Sequence, residues 1–309
     1  MSNLVALNKK SQIFTLIAIA LLFLLFVSYE IYSTVYERIA IKTRVKTMDS
    51  FLSSLENYLG RQFYISGFRI LFLAEDKITR TGTYISNFDS FFDEAIMQGK
   101  VDGVTSDILI GVTLTDIENS IKEKADKMNL LVSLSNTNIR MTQEDPWHVA
   151  VIFNATLNLT DKSNLASWYK NETIIALIEV EGFEDPVYLI NSNGKVSRKI
   201  NQTIYDGEYV SGADVDNLLS HLENRYYTNN TLAPSFLKRM KGDLTADANG
   251  IESFVYLPEM SAQGMQVKEK SVVDYIYFSL SNPGSTTISG MPPWFRIDSE
   301  HCSRYQLSC

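Results

Sequence analysis

Residues 9–46 read KKSQIFTLIAIALLFLLFVSYEIYSTVYERIAIKTRVK, and the fold turns on how this stretch is interpreted. Ile13 to Val27 is apolar except for Thr15, and no charge falls between Lys10 and Glu30. The 19 uncharged residues in between reach ~28 Å as a helix, close to the ~30 Å hydrocarbon thickness of a bilayer. A transmembrane helix is therefore expected over residues 12–29. Its lipid-facing side chains would be Ile13, Phe14, Leu16, Leu21, Leu22, Phe23, Leu24, Leu25, Phe26 and Val27. Tyr29, Tyr32 and Tyr36 follow as an interfacial belt. The rival reading is a secretory apolar region that is cut away. It needs a small-x-small cleavage site, of which Phe26-Val27-Ser28 and Ile31-Tyr32-Ser33 are poor versions.

Upstream, Lys9-Lys10-Ser11-Gln12-Ile13-Phe14 places a basic pair, a small residue and Gln before the apolar run. This pattern resembles the class III signal peptide of archaeal type IV pilin-like proteins. The resemblance implies a cut between Ser11 and Gln12, so that residues 1–11 form a basic leader and the helix stays on the mature protein. Copies of the chain, or other pilin-like subunits, would then pack through that helix. One departure is Leu16, which stands where many bacterial pilins carry Glu. Gly182-Phe183-Glu184-Asp185-Pro186 and Gly290-Met291-Pro292-Pro293-Trp294-Phe295 also resemble segments of archaeal surface proteins of an uncharacterised family. The function implied is structural: a minor pilin, filament-tip subunit or adhesin. The alternative is an anchored extracytoplasmic binding or sensory module that does not assemble.

Downstream, no Pro occurs before Pro146 and no Gly before Gly60, so nothing stops the helix at the membrane surface. Ile41, Val45, Met48, Leu52, Leu55 and Leu59 recur at helical spacing. A helical stalk over residues 30–78 follows, its stripe packing on the chain's own domain or forming an oligomer seam. Arg38, Lys42 and Lys46 line one flank as a solvated face, or as contacts to anionic lipid.

Residues 79–309 predict an acidic α+β ectodomain. Helices are expected from Asn87 to Gly99, from a capping box at Thr115-Asp116-Ile117-Glu118 to Met128, and from Ser211 or Asp214 to Tyr226. Strand-like runs cover residues 130–134, 147–159, 173–180, 187–190, 195–200, 253–257 and 272–280, with Asn193-Gly194 reading as a hairpin turn. Their order predicts an antiparallel sheet with helices on one side.

Net charge is -8 overall, yet residues 1–46 hold six Lys/Arg against two Asp/Glu, leaving the remainder at -12. Such a surface repels phosphate backbones, so no nucleic-acid partner is expected. The basic residues on either side of the apolar run nearly tie, so orientation rests on softer features. Five N-x-[ST] sequons, at Asn154, Asn158, Asn171, Asn201 and Asn229, are possible glycosylation sites if the C-terminal region is extracellular. Cys302 and Cys309 would close a disulfide in an oxidising exterior, with two free thiols or a metal site beside His301 as alternatives.

Catalytic motifs are missing from the sequence. His148, His221 and His301 have no partner at i+4, and there is no nucleophile elbow, Walker loop or dinucleotide fingerprint. Thr245-Ala246-Asp247-Ala248-Asn249-Gly250 resembles half of a calcium loop but lacks two of its charged ligands, so a polar turn is expected. No catalytic residue, cofactor or metal is assigned, and the chain is not expected to be an enzyme.

Overall fold

The structure, a computed structural model, describes residues 9–309, with side chains from residue 12 onward. Helix α1 (Lys9–Thr81) runs unbroken for 73 residues, ~110 Å at 1.5 Å per residue. It stops at Gly82, whose φ of 63° is open to glycine at no steric cost and whose N–H reaches the Ile78 carbonyl. Up to Thr47 no described side chain on it is buried, and Ile41 and Val45 are exposed. From Met48 the same apolar stripe, through Leu52, Leu55, Leu59, Phe63 and Ile70, enters the core. The outer half of α1 is therefore part of the domain, and the stripe packs on its own chain.

The remaining elements follow in order. They are α2 (Phe88–Gln98), β1 (Lys100–Val101), β2 (Val104–Thr105), α3 (Leu114–Lys127), β3 (Leu130–Asp145), β4 (His148–Asp161), β5 (Ser167–Glu179) and α4 (Pro186–Asn191). Then come α5 (Asp216–Glu223), β6 (Tyr227–Asn229), α6 (Phe236–Lys241), β7 (Ile251–Ser253), α7 (Leu257–Ala262), α8 (Asp274–Phe278), β8 (Ser285–Thr287), β9 (Arg296–Asp298) and α9 (Ser299–Cys302). The fold is α+β with small antiparallel sheets. The largest is β3-β4-β5, its inner face set by alternation along β4: Val149, Val151, Phe153, Ala155, Leu157 and Leu159 are buried, while Asn158 on the other face is exposed. That inner face lies on α1, where Phe63 meets Phe153 at 4.6 Å between ring centroids. Gly67 makes the approach possible, since a Cβ there would meet Ile178 Cδ1 at 2.4 Å and Val151 Cγ2 at 2.6 Å.

Helix α2 forms as its sequence predicts, with the Asn87 side chain accepting from Ser90 N–H and Gly99 in the left-handed conformation. The capping box of α3 is built two residues earlier than predicted, from Thr113 and Asp116, because Asp116 at the third helical position also returns to the Thr113 N–H. Three predicted strands fail, and a fourth, 253–257, keeps only Ser253 in β7 before Leu257 opens α7. Residues 187–190 lie in α4, which Asp185 caps and Pro186 opens. The expected hairpin pair Asn193-Gly194 instead ends that helix, with φ of 52° and 76° and Gly194 N–H bonded to the Leu189 carbonyl. The left-handed backbone that makes a hairpin also makes a helix C-terminus, and only the neighbouring capping signal separates the two. Residues 195–200 form a single bridge, Glu184 to Lys199, and residues 274–278 turn into α8. Helix α5 covers only 216–223 of the predicted span. One hydrophobic core runs from Met48 to Tyr305.

Candidate membrane anchor and buried polar clusters

The first half of α1 projects from the domain with its apolar side chains exposed: Phe14 is 73% and Leu16 69% accessible. Ile13, Leu21, Leu22, Phe23, Leu24, Leu25 and Phe26 are likewise large exposed hydrophobics, and Val27 is half-buried. This helix is long and apolar enough to cross a membrane, with a mean hydropathy of 2.4 in its most apolar window and none of that window buried. Tyr32 and Tyr36 stack at 6.3 Å one turn apart, and Arg38, Lys42 and Lys46 are exposed. Ser11 and Gln12 lie within α1, the Gln12 carbonyl accepting from the Thr15 hydroxyl. Residues 1–8 of the expected leader lie outside the described residues.

Arg44 marks where the helix meets the domain. Its Nε pairs with Asp161 at the end of β4, and its Nη2 donates to the Met128 carbonyl at 2.9 Å and to the Asn129 carbonyl at 2.6 Å. One guanidinium thus satisfies orphan carbonyls past the end of α3 and ties α1, α3 and the sheet together. Arg38, Lys42 and Lys46 stay on the solvent side, and Arg44, on another face, carries the contact.

Two dense polar clusters lie inside the domain. Arg239 is fully buried between Asp185 at 2.7 Å and Asp274 at 3.0 Å. The Tyr227 hydroxyl donates to Asp185, and Ser253 gives both its N–H and its hydroxyl to Asp274. Burial pushes the Asp185 carboxyl up, Arg239 opposes the rise and the Asp274 charge adds to it. A Ser hydroxyl beside a carboxylate invites a catalytic reading. Here every member is sealed from solvent, so no substrate reaches Ser253. The cluster joins α4, α6, β7 and α8, each too short to be stable alone.

The second cluster centres on His301, with Nδ1 2.7 Å from Asp298 and Nε2 3.2 Å from Glu252 and 2.8 Å from the Tyr275 hydroxyl. Burial disfavours the imidazolium, but hydrogen bonds to Asp298 and Glu252 outweigh it and push the pKa up to about 10. Cys302 and Cys309 form a disulfide across 6.2 Å of Cα separation. Inside this ring, Tyr305 is fully buried and its hydroxyl donates to Glu252. With both imidazole nitrogens engaged and both sulfurs bonded, the metal alternative has no donors left at this position.

The calcium-like turn holds a cation of its own. Lys238 Nζ sits 3.1 Å from Thr245 Oγ1, 2.7 Å from the Ala246 carbonyl and 3.6 Å from Asp247. Gly250 is required because a Cβ there would lie 2.1 Å from the Ala233 carbonyl oxygen. In the Pro-Pro segment, Phe295 is buried and Trp294 packs on Tyr256 at 5.6 Å. Of the sequon asparagines, Asn158, Asn171, Asn201 and Asn229 are exposed, and Asn154 is half-buried. Compared with known protein families, curated proteins and solved structures, the chain matches none.

Proposed function

We propose that this chain is a membrane-anchored structural protein of the cell surface, built as type IV pilin-like subunits are: an apolar helix held in lipid or in a bundle of like helices, carrying an extracellular α+β domain. One observation carries the reading. Residues 12–47 of α1 form a continuous helix none of whose side chains is buried in the domain. Exposed apolar surface on this scale demands a non-aqueous partner. The Lys9-Lys10-Ser11-Gln12 pattern before it supports a cut that leaves this helix on the mature protein. Catalysis is not part of the proposal: the buried Arg239 and His301 clusters are spent on internal ion pairs.

The test is the N-terminal sequence of the protein extracted from its native membranes, followed by cross-linking in the same membranes. A start at Gln12 with multimers joined through residues 12–47 supports an assembling subunit. A start at Met1 with monomers leaves an anchored module, and a start beyond Ser28 overturns the anchor altogether.

A further inference from the structure

We propose that the solvent face of β3-β4-β5 is a glycan-bearing face, with Asn158 and Asn171 as its N-linked attachment sites. The inference rests on the extracellular reading above. In an extended strand residues i and i+2 point the same way, so a sequon in a strand shows its Asn and its Thr on one face. The register then brings separate sequons together: Asn158 lies between Ser133 and Tyr169, Thr156 between Ser135 and Asn171, and Asn154 between Asn138 and Thr173. Three whole sequons, 154–156, 158–160 and 171–173, therefore form one patch. No charged side chain stands on that face from the Leu131 row to the Asn138 row, in a chain that is 21% charged.

The hydrogen bonds at all three follow one pattern. Thr160 donates to Asn158 Oδ1 at 3.3 Å, Thr156 to Asn171 Oδ1 at 2.9 Å and Thr173 to Asn154 Oδ1 at 2.8 Å. Each carboxamide uses its oxygen and leaves Nδ2, the atom that takes the sugar, without a partner among the described residues. The other two sequons have structural duties. Thr203 is buried between His221 and the Tyr205 N–H, and the Arg304 guanidinium holds Asn229 Oδ1 at 2.8 Å. Asn154, half-buried on the centre strand, leaves little room for a sugar, whereas Asn158 and Asn171 are open. A glycan here also covers Tyr169, 74% exposed, and Ile175, 53% exposed.

In the transfer, Asn Nδ2 attacks C1 of a glycan carried on a lipid phosphate. The N–C1 bond forms, the C1–O bond breaks, the lipid phosphate leaves with the electron pair, and the amide gives up one proton; nothing is oxidised or reduced. A membrane oligosaccharyltransferase and its lipid-linked donor supply the co-reactants.

The experiment is mass spectrometry of intact chain and peptides from full-length protein taken from native membranes, alongside Thr160→Ala and Thr173→Ala, which remove the sequons and keep both asparagines. The expected result is added hexose-type mass at Asn158 and Asn171, none at Asn201 or Asn229, and loss at one site in each variant. Because the readout is mass, a variant that misfolds still reports through the wild-type peptides. An unmodified patch in a domain that protease removes from intact cells overturns this inference alone. A domain that protease cannot reach overturns both it and the extracellular reading.

Discussion

At the scale of single residues, two of the histidines show how little a residue type says before its surroundings are known. His221 is boxed by Tyr209, Phe254 and Tyr305 and pairs only through Nδ1 with Thr203. Burial first, and then the Arg304 charge, lower its pKa to about 3. Its neutral form is the folded one, so the stability tied to it is present above pH ~6.5 and drains away as pH falls toward 3. His301 has the opposite sign: with a folded pKa near 10, its contribution is complete below pH ~6.5 and is lost as pH rises through 10. Thermal unfolding followed from pH 3 to 10 should peak near neutrality. His221→Phe should flatten the acid limb, worth up to about 4 kcal/mol by pH 3. His301→Gln should flatten the alkaline limb while lowering stability throughout, because it leaves Glu252 and Asp298 buried without their cation. If the variants leave the profile unchanged, these rings do not set it.

At the scale of elements, legibility followed length. The 73-residue α1 and the 14-residue β4 announce themselves, since periodicity over many residues outweighs local ambiguity, whereas the polar outer face of β3 and the start of β5 hide all but 130–134 and 173–179 of those strands. Helices of five or six residues, such as α4 and α8, do not: Val187-Tyr188-Leu189-Ile190 is a β-type run by composition and a helix in the fold. Asp185 and Pro186 were the available signal, a helix cap and a first-turn proline just ahead of the run. The meeting of α1 with the sheet yields a sharper prediction. Gly67→Ala forces a methyl between Ile178 and Val151 and should destabilise the domain by about 1–3 kcal/mol through overpacking. Gly60→Ala, on the same helix with open space around it, should stabilise slightly or do nothing. Equal effects in denaturant titrations would remove the close contact as the cause.

At the scale of the whole molecule, the C-terminal half is held less by long elements than by Arg239, His301 and the ring closed at Cys302 and Cys309. An eight-residue ring constrains the unfolded chain by about 2–3 kcal/mol. Reduction, or Cys309→Ser, should lower the unfolding midpoint by several degrees and loosen Tyr305 first. No change in hydrogen exchange at residues 301–307 would show that the ring adds nothing. What the sequence alone determined is the exposed apolar helix, the acidic body and the antiparallel order of the long strands, because each is a pattern repeated along contiguous residues. Only the tertiary structure decided that the outer half of α1 is core, that Arg44 is its clamp, that Lys238 fills the calcium-like turn, and that three scattered sequons share one face. Those facts depend on strand register and on pairings across the chain, as far apart as the 117 positions between Arg44 and Asp161. A single chain read in order carries no trace of such pairings until the hydrophobic core brings them together.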